Sequence, residues 1–143
     1  MRHIQALSIA LLVPLALVAG HQQAHAQFST QVRAQLASIA WDGGFDQTHN
    51  TLVDHLNDGQ HQFVTAYLTA GTTYMIVGAC DEDCSDLDFT LYDPYGNYLA
   101  EDTEGDDFPT VFVTPRISGT YRLKVKMYAC YTSPCYWGVG IYR

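Results

Sequence analysis

Basic side chains are scarce in this chain. Seven Lys and Arg stand against fifteen Asp and Glu, which gives a formal net charge of −8 at pH 7. A protein with this excess of negative charge is repelled by the phosphate backbone of nucleic acids and by anionic membrane surfaces. We therefore expect neither nucleic acid nor an anionic membrane as a partner.

Motifs of the common hydrolases are missing as well. The chain has no His-Glu-x-x-His motif and no Gly-x-Ser-x-Gly nucleophile elbow. Ser85, Ser118 and Ser133 all fall in turn or loop contexts. We therefore expect a protein without catalytic activity. An enzyme assembled from scattered residues is the third-ranked alternative.

Long apolar runs are absent after the N-terminus. Residues 6–19 are nearly continuous apolar sequence, but Pro14 interrupts a run that is too short for a good membrane span. Ala24-His25-Ala26 matches the small-x-small cleavage motif of exported proteins, with Gly20 as the competing cleavage position. We predict a secreted or periplasmic protein that has no membrane span after removal of a signal peptide, residues 1–26.

One helix is predicted beyond the cleavage site, over residues 29–40. Val32, Leu36 and Ile39 recur there at helical spacing, and Gly43-Gly44 ends the pattern. The predicted division of the chain is a signal peptide (1–26), a helix with linker (27–46) and one β-domain (47–143).

Strand and turn patterns alternate through the rest of the chain. The clearest strand, residues 121–127, places Tyr121, Leu123, Val125 and Met127 on one side and three cations on the other. About eight such segments at roughly ten-residue spacing predict an all-β sandwich or barrel. The alternation favours an antiparallel β-sandwich with one solvated face on each sheet.

The four cysteines form two local pairs in the sequence. In an exported chain an even number of cysteines indicates disulfides, and we favour Cys80–Cys84 and Cys130–Cys135, because each link joins the end of one strand to the start of the next. A zinc site of four thiolates is the alternative.

Three segments resemble the bacterial pre-peptidase C-terminal domain. They are Leu-Thr-Ala-Gly-Thr-Thr-Tyr (68–74), Asp-Leu-Asp-Phe-Thr-Leu-Tyr-Asp-Pro-Tyr-Gly (86–96) and Ser-Gly-Thr-Tyr-Arg-Leu-Lys-Val (118–125). The resemblance covers about residues 50–143. It implies a jelly-roll β-sandwich that acts as a non-catalytic accessory module, and some members bind calcium or extracellular polymers. No protease domain accompanies these segments, so the expected module is free-standing.

Acidic residues are concentrated between Asp81 and Asp107, where eleven acids occur without a base. Calcium is the cation that such oxygen ligands suit. The spacing does not fit an EF-hand, so any calcium site must combine separate loops. The alternatives are a solvated acidic surface and charge pairing with the basic strand that follows. The predicted metal ligands are Asp81, Asp83, Asp86, Asp88, Asp106 and Asp107.

Aromatic rings surround two of the predicted loops. Exposed rings can stack on sugars or on a partner protein, and ordinary cross-strand packing is the alternative. The predicted ligand-binding rings are Tyr92, Tyr95, Tyr98, Tyr131 and Trp137.

These patterns together predict an exported, non-catalytic binding or accessory module. Its expected partner is a protein or a polysaccharide outside the cytoplasm. The alternative is a structural subunit of a surface assembly, in which edge strands pair between copies.

Overall fold

The computed structural model describes residues 15–143, in which one helix precedes eight strands. Residues 1–14, and with them part of the predicted signal peptide, lie outside the described residues. The elements are α1 (Leu15–Gly43), β1 (Leu52–Leu56), β2 (His61–Leu68), β3 (Tyr74–Cys80), β4 (Cys84–Tyr92), β5 (Tyr98–Asp102), β6 (Thr110–Val113), β7 (Gly119–Cys130) and β8 (Cys135–Tyr142).

The strands form two antiparallel four-stranded sheets. Sheet A has the order β1-β8-β3-β6, and sheet B has the order β2-β7-β4-β5. This order is that of an eight-stranded jelly roll, in which most consecutive strands belong to different sheets. The predicted all-β jelly-roll sandwich with an N-terminal helix is confirmed.

The main core lies between the two sheets. In β7, Leu123 and Val125 are buried, whereas Arg122 is exposed and Lys124 is half-buried on the outer side. This is the predicted period-two pattern. The largest fully buried side chains of this core are Trp137, Phe89, Leu68, Ile76, Leu87, Leu91 and Met127.

A second, smaller core lies on the outer face of sheet A. Every residue of β3 is buried, because its alternate side chains Met75, Val77 and Ala79 pack against Val32 and Leu36 of α1. The prediction of a solvated outer face is therefore correct for sheet B and wrong for sheet A. A helix with an apolar face shields apolar sheet residues that water would otherwise contact.

Helix α1 lies very close to β8. A Cβ atom at Gly138 would lie 2.7 Å from Cγ1 of Val32 and 3.1 Å from Cδ1 of Leu36, so only glycine fits there. The Tyr142 hydroxyl donates a hydrogen bond of 2.9 Å to the carbonyl of Leu36. These contacts fix the helix to the sheet.

The predicted helix, residues 29–40, is too short at both ends. In the structure α1 already includes Leu15 and ends at Gly43, ahead of Gly44 with its positive φ of 68°. The added N-terminal turns are rich in Ala, Leu and Gln, which favour helix. The helix runs through Ala26, and cleavage there stays a prediction.

Candidate functional site

Both predicted disulfides are formed. Cys80 pairs with Cys84 and Cys130 pairs with Cys135, and the Cα atoms of each pair are 5.9 Å apart. Each bridge joins the last residue of one strand to the first residue of the next. The four-thiolate zinc alternative is wrong, because no cysteine is free to bind metal.

Hydrogen bonds join four loops at the end of the sandwich that carries the disulfides, which we call the disulfide end. Tyr131 N donates to the Asp83 carbonyl at 2.8 Å, and Leu87 N donates to the Asp106 carbonyl at 2.9 Å. Cys130 N donates to Oδ1 of Asp58 at 2.8 Å. Most of the acidic segment therefore lies at this end, because β4 begins there and β5 ends there.

Asp81 is the most deeply buried acid at the disulfide end, with 2% of its surface exposed. Its Oδ2 accepts a hydrogen bond of 2.8 Å from Tyr136 N, and its own N–H donates to the Tyr136 carbonyl at 2.9 Å. Its Oδ1 has no hydrogen-bond partner among the described residues. Burial raises the pKa of Asp81, and the nearby charges of Asp83 and Glu82 raise it further.

Asp81→Asn is expected to increase the free energy of unfolding at neutral pH by roughly 1 kcal/mol, because it removes a charge that is buried without full hydrogen bonding. The raised pKa means that the folded state holds the Asp81 proton more tightly than the unfolded state. The penalty therefore grows as pH rises above the ordinary value of 3.8 and levels off above the folded-state pKa. Urea unfolding of both proteins across this pH range measures the effect.

Glu82→Gln is the matched control, since it removes the same charge from an exposed neighbouring side chain. We expect it to change stability by less than about 0.5 kcal/mol. An increase for Asp81→Asn that persists below pH 3.8 would contradict the assignment, because protonated Asp81 carries no charge there.

Asp86, Asp88 and Asp106 form a second acidic group beside the first. Burial is the main cause that raises the pKa of Asp86, and the charges of Asp88 and Asp106 add to it. Asp88 is itself buried and lies 3.4 Å from Nζ of Lys126, its cross-strand neighbour. This contact is the charge pairing between strands that the sequence offered as an alternative for the acidic segment.

The predicted calcium ligands do not form a single cage. The charges that act on Asp81 come from its own loop, whereas those on Asp86 come from Asp88, Asp106 and Lys126. Within residues 15–143, no three His, Cys, Asp or Glu side chains are placed to hold one metal ion. The residues as arranged do not fit calcium, and calcium binding stays a prediction.

The outer face of sheet B carries exposed rings and cations, with the carboxylates of Asp88 and Glu101 on the same side. The side chain of Arg122 lies 4.5 Å from the ring centre of Phe63, and the Lys126 ammonium lies 4.0 Å from that of Tyr128. The ring centres of Phe63 and Tyr92 are 6.2 Å apart. We call this surface the aromatic face, and its members are Phe63, Tyr67, Tyr92, Tyr98, Arg122, Lys124, Lys126 and Tyr128.

Strand register explains how the aromatic face is assembled. Thr65 pairs with Arg122, which pairs with Tyr92, which in turn pairs with Tyr98. The row across β2, β7 and β4 therefore places the Arg122 cation beside the Tyr92 ring on one side of sheet B, and the register shift at Tyr92 interrupts it before Tyr98. Cross-strand neighbours at this spacing contact each other directly.

The five predicted ligand-binding rings are not brought together. Tyr92 and Tyr98 belong to the aromatic face, whereas Tyr95 lies in the turn between β4 and β5 and Tyr131 lies at the disulfide end. The prediction that Trp137 binds a ligand is wrong. Its ring is fully buried between the sheets and cannot stack on a ligand at the surface. Its position on β8 points inward because it alternates with the outward Tyr136 and Gly138.

Phe63 and Tyr67 are the functional candidates that sequence reasoning missed. Their exposed fractions are 45% and 60%. The alternation over residues 61–68 places both on the same side of β2, but the pattern alone does not say which side faces water. Only the position of β2 in sheet B decides this.

Comparison with solved structures identifies the architecture. The chain is similar to the pre-peptidase C-terminal domain of collagenase from Bacillus anthracis, with a TM-score of 0.52 and 15% sequence identity. The match covers 64% of this chain and 87% of that one. The fold is that of a pre-peptidase C-terminal domain. The resemblance found in the three sequence segments is thus confirmed at the level of the fold.

A second similar structure is PliG of Aeromonas hydrophila, a periplasmic inhibitor of g-type lysozyme. It has a TM-score of 0.44 and 16% identity, and the match covers 64% of this chain and 84% of that one. No protein-family model matches the chain, and no curated protein matches it in sequence.

The pre-peptidase C-terminal fold here carries two disulfides, which form and persist in oxidising compartments. They favour a location outside the cytoplasm. No helix in residues 15–143 is both long enough and apolar enough to span a membrane.

Proposed function

We propose that this protein is an exported, non-catalytic binding module that holds an anionic polymer on its aromatic face. The observation that carries the proposal is the difference between the two outer sheet faces. Helix α1 covers the outer face of sheet A, whereas the outer face of sheet B exposes rings beside cations. An uncovered surface of this composition suits recognition of a partner.

The charges of the aromatic face favour an anionic partner. Lys126 is paired with Asp88, but Arg122 and Lys124 form no ion pair with any described residue. The net charge of −8 repels a polyanion at long range, so these two cations have to act over the short distances within the aromatic face. Arginine and lysine in this state favour carboxylate or sulfate groups, and the adjacent rings can stack on sugar rings. An acidic polysaccharide supplies both.

Isothermal titration calorimetry with polygalacturonate tests the proposal, and neutral dextran is the control polymer. We expect binding of polygalacturonate that weakens with salt, because exposed charges are screened. The double variant Arg122→Gln/Lys124→Gln is expected to weaken binding by at least about tenfold, or ~1.4 kcal/mol.

Arg116→Gln/Arg143→Gln is the matched control variant, since it removes the same charge from exposed positions away from the aromatic face. It should leave the affinity for polygalacturonate unchanged. An equal loss of affinity in both double variants would mean that only the net charge matters. Equal affinity for dextran would mean that the cations do not contribute to binding. Absence of binding to polygalacturonate would refute the proposal.

Calcium binding is not part of the proposed function. Thermal unfolding with calcium, and with sodium at equal ionic strength, tests the separate calcium prediction. An increase in melting temperature that Asp86→Asn weakens would support it, because the folded state alone would present the ligands.

A further inference from the structure

Strand β2 is an edge strand with unpaired backbone groups. Within residues 15–143 it forms the margin of sheet B and pairs only with β7. The carbonyl of Gln60, just before β2, accepts a hydrogen bond of 2.9 Å from Met127 N of β7. The carbonyl of Tyr67 instead accepts from Nε2 of His49 outside the sheet, at 3.0 Å.

Alternation along the strand determines whether each backbone group of β2 points to β7 or to the free edge. The N–H and C=O of one residue point to the same edge, and those of the next residue point to the other. Even-numbered residues therefore bond to β7, and the groups of Phe63, Thr65 and Tyr67 point to the free edge. The side chains of these three residues are all exposed.

The other edge strands carry the usual protection against pairing, whereas on β2 the His49 ring covers the Tyr67 end and Phe63 and Thr65 stay exposed. β6 has four residues, and β1 has five, including Asp54 and His55. β5 carries Glu101 and Asp102, and its register against β4 shifts at Leu99. β2 has eight residues, no Pro, Asp, Glu, Lys or Arg, and no register shift against β7. Long, flat, uncharged edges are templates for another strand.

The sequence of β2 is complementary to itself about Thr65. In an antiparallel pair of two copies centred on this residue, Thr65 lies opposite Thr65, and Phe63 lies opposite Tyr67 twice. Thr–Thr and aromatic pairs are among the favourable cross-strand combinations. On the inner side, Val64 lies opposite Ala66, and both are half-buried in the single chain.

We infer that β2 pairs antiparallel with β2 of a second copy about a two-fold axis that passes between the two Thr65 residues. The two sheets B then form one continuous eight-stranded sheet. The backbone groups of Thr65 exchange two hydrogen bonds across the axis, and each Tyr67 N–H donates to the Phe63 carbonyl of the other copy. The Tyr67 carbonyl keeps its hydrogen bond to His49. The contact is isologous, so it closes at the dimer.

An apolar cleft beside β2 supports the same pairing. It has a volume of about 180 Å³ and lies between the two sheets where β1 and β2 form their margins. Leu52, Val64 and Ala66 line it together with His49 and Asn50 of the segment before β1, and Leu52 is 41% exposed. A two-fold axis perpendicular to sheet B brings the clefts of both copies face to face, so these side chains are removed from water. The inference stands independently of the proposed polymer binding.

Sedimentation equilibrium of the purified chain tests the inference. The wild-type chain is expected to approach twice its monomer mass as concentration rises. Thr65→Pro removes only the N–H on the free edge and is expected to abolish the dimer, whereas Thr65→Ala keeps this N–H and should dimerise. Circular dichroism verifies that each variant is folded.

Charge substitution at the two-fold axis gives a second test that does not depend on proline. Thr65→Lys and Thr65→Glu should each be monomeric, because like charges lie directly opposite each other. An equimolar mixture of the two should restore a dimer, since the charges then attract. If the dimer formed through a surface far from Thr65, these substitutions would not change its assembly.

Four outcomes would overturn the inference. The first is a wild-type chain that stays monomeric at every concentration. The second is a dimer that Thr65→Pro leaves intact while the protein is folded. The third is a mixture of the Lys and Glu variants that remains monomeric. The fourth is a ladder of larger species, which a closed two-fold contact does not produce.

Discussion

Leu123→Asp is expected to abolish folding of the sandwich, whereas Lys124→Asp leaves it folded. Leu123 is 4% exposed in the core between the sheets, and its neighbours across the strands are Val64 and Leu91. The substitution removes buried apolar surface and leaves a carboxylate without a partner. The expected loss in the free energy of unfolding exceeds about 4 kcal/mol, which is a large part of a typical domain's total.

Lys124 is the matched position, because it is the next residue on the same strand and points to the opposite side. Its replacement by Asp reverses a charge on the aromatic face and is expected to change stability by less than about 0.5 kcal/mol. Urea unfolding followed by far-UV circular dichroism compares the two variants. Similar losses in both would contradict the orientation of β7.

Leu36→Asp is expected to destabilise the whole domain by more than about 3 kcal/mol, although the residue lies in the helix and not in the sandwich. Leu36 is fully buried against the outer face of sheet A. A carboxylate there forces α1 off the sheet and exposes Met75, Val77 and Ala79. The cost combines a buried charge with the loss of apolar contacts on both elements.

Ala34→Asp is the control for the helix, since residue 34 is on the exposed side of α1. It tests the effect of the same side chain on helix propensity alone, which is about 0.7 kcal/mol at most. Guanidinium unfolding gives the stability, and hydrogen exchange of the β3 amides reports whether the outer face opens. If Leu36→Asp leaves both measurements at the level of Ala34→Asp, α1 is a spacer that does not contribute to the domain.

The docked helix also explains why the two sheets differ in what they can bind. Sheet A is buried on both faces near β3, so any partner of this face must first displace α1. No part of the chain that the structure describes covers the outer face of sheet B, where Arg122 and Lys124 lie beside exposed rings. Helix docking therefore limits the proposed polymer binding to one side of the sandwich.

The acidic residues show how a single sequence feature separates into different environments. Asp81 is held by two backbone contacts with Tyr136, Asp88 is paired with Lys126, and Glu101 lies on an edge strand. The sequence pattern treats them as one cluster because it registers only their density along the chain. Their separation depends on which strand face or loop each side chain occupies.

Features that depend on neighbours along the chain were predictable. The side chains of Leu123 and Lys124 lie on opposite sides of β7, because successive side chains alternate along an extended backbone. The links Cys80–Cys84 and Cys130–Cys135 follow from short spacing between adjoining strands. The jelly-roll resemblance likewise came from three segments in a fixed order.

Features that depend on distant parts of the chain were decided only by the tertiary structure. The alternation along β8 fits Trp137 either at the surface or in the core. Its burial follows from the packing of sheet A on sheet B. The burial of Met75 and Val77 requires Val32 and Leu36, more than thirty-five residues away along the chain. Likewise, the open edge of β2 exists because its chain neighbours β1 and β3 both belong to the other sheet. A local pattern states which side chains share a face, but the long-range pairing of strands and the docking of the helix determine what that face meets.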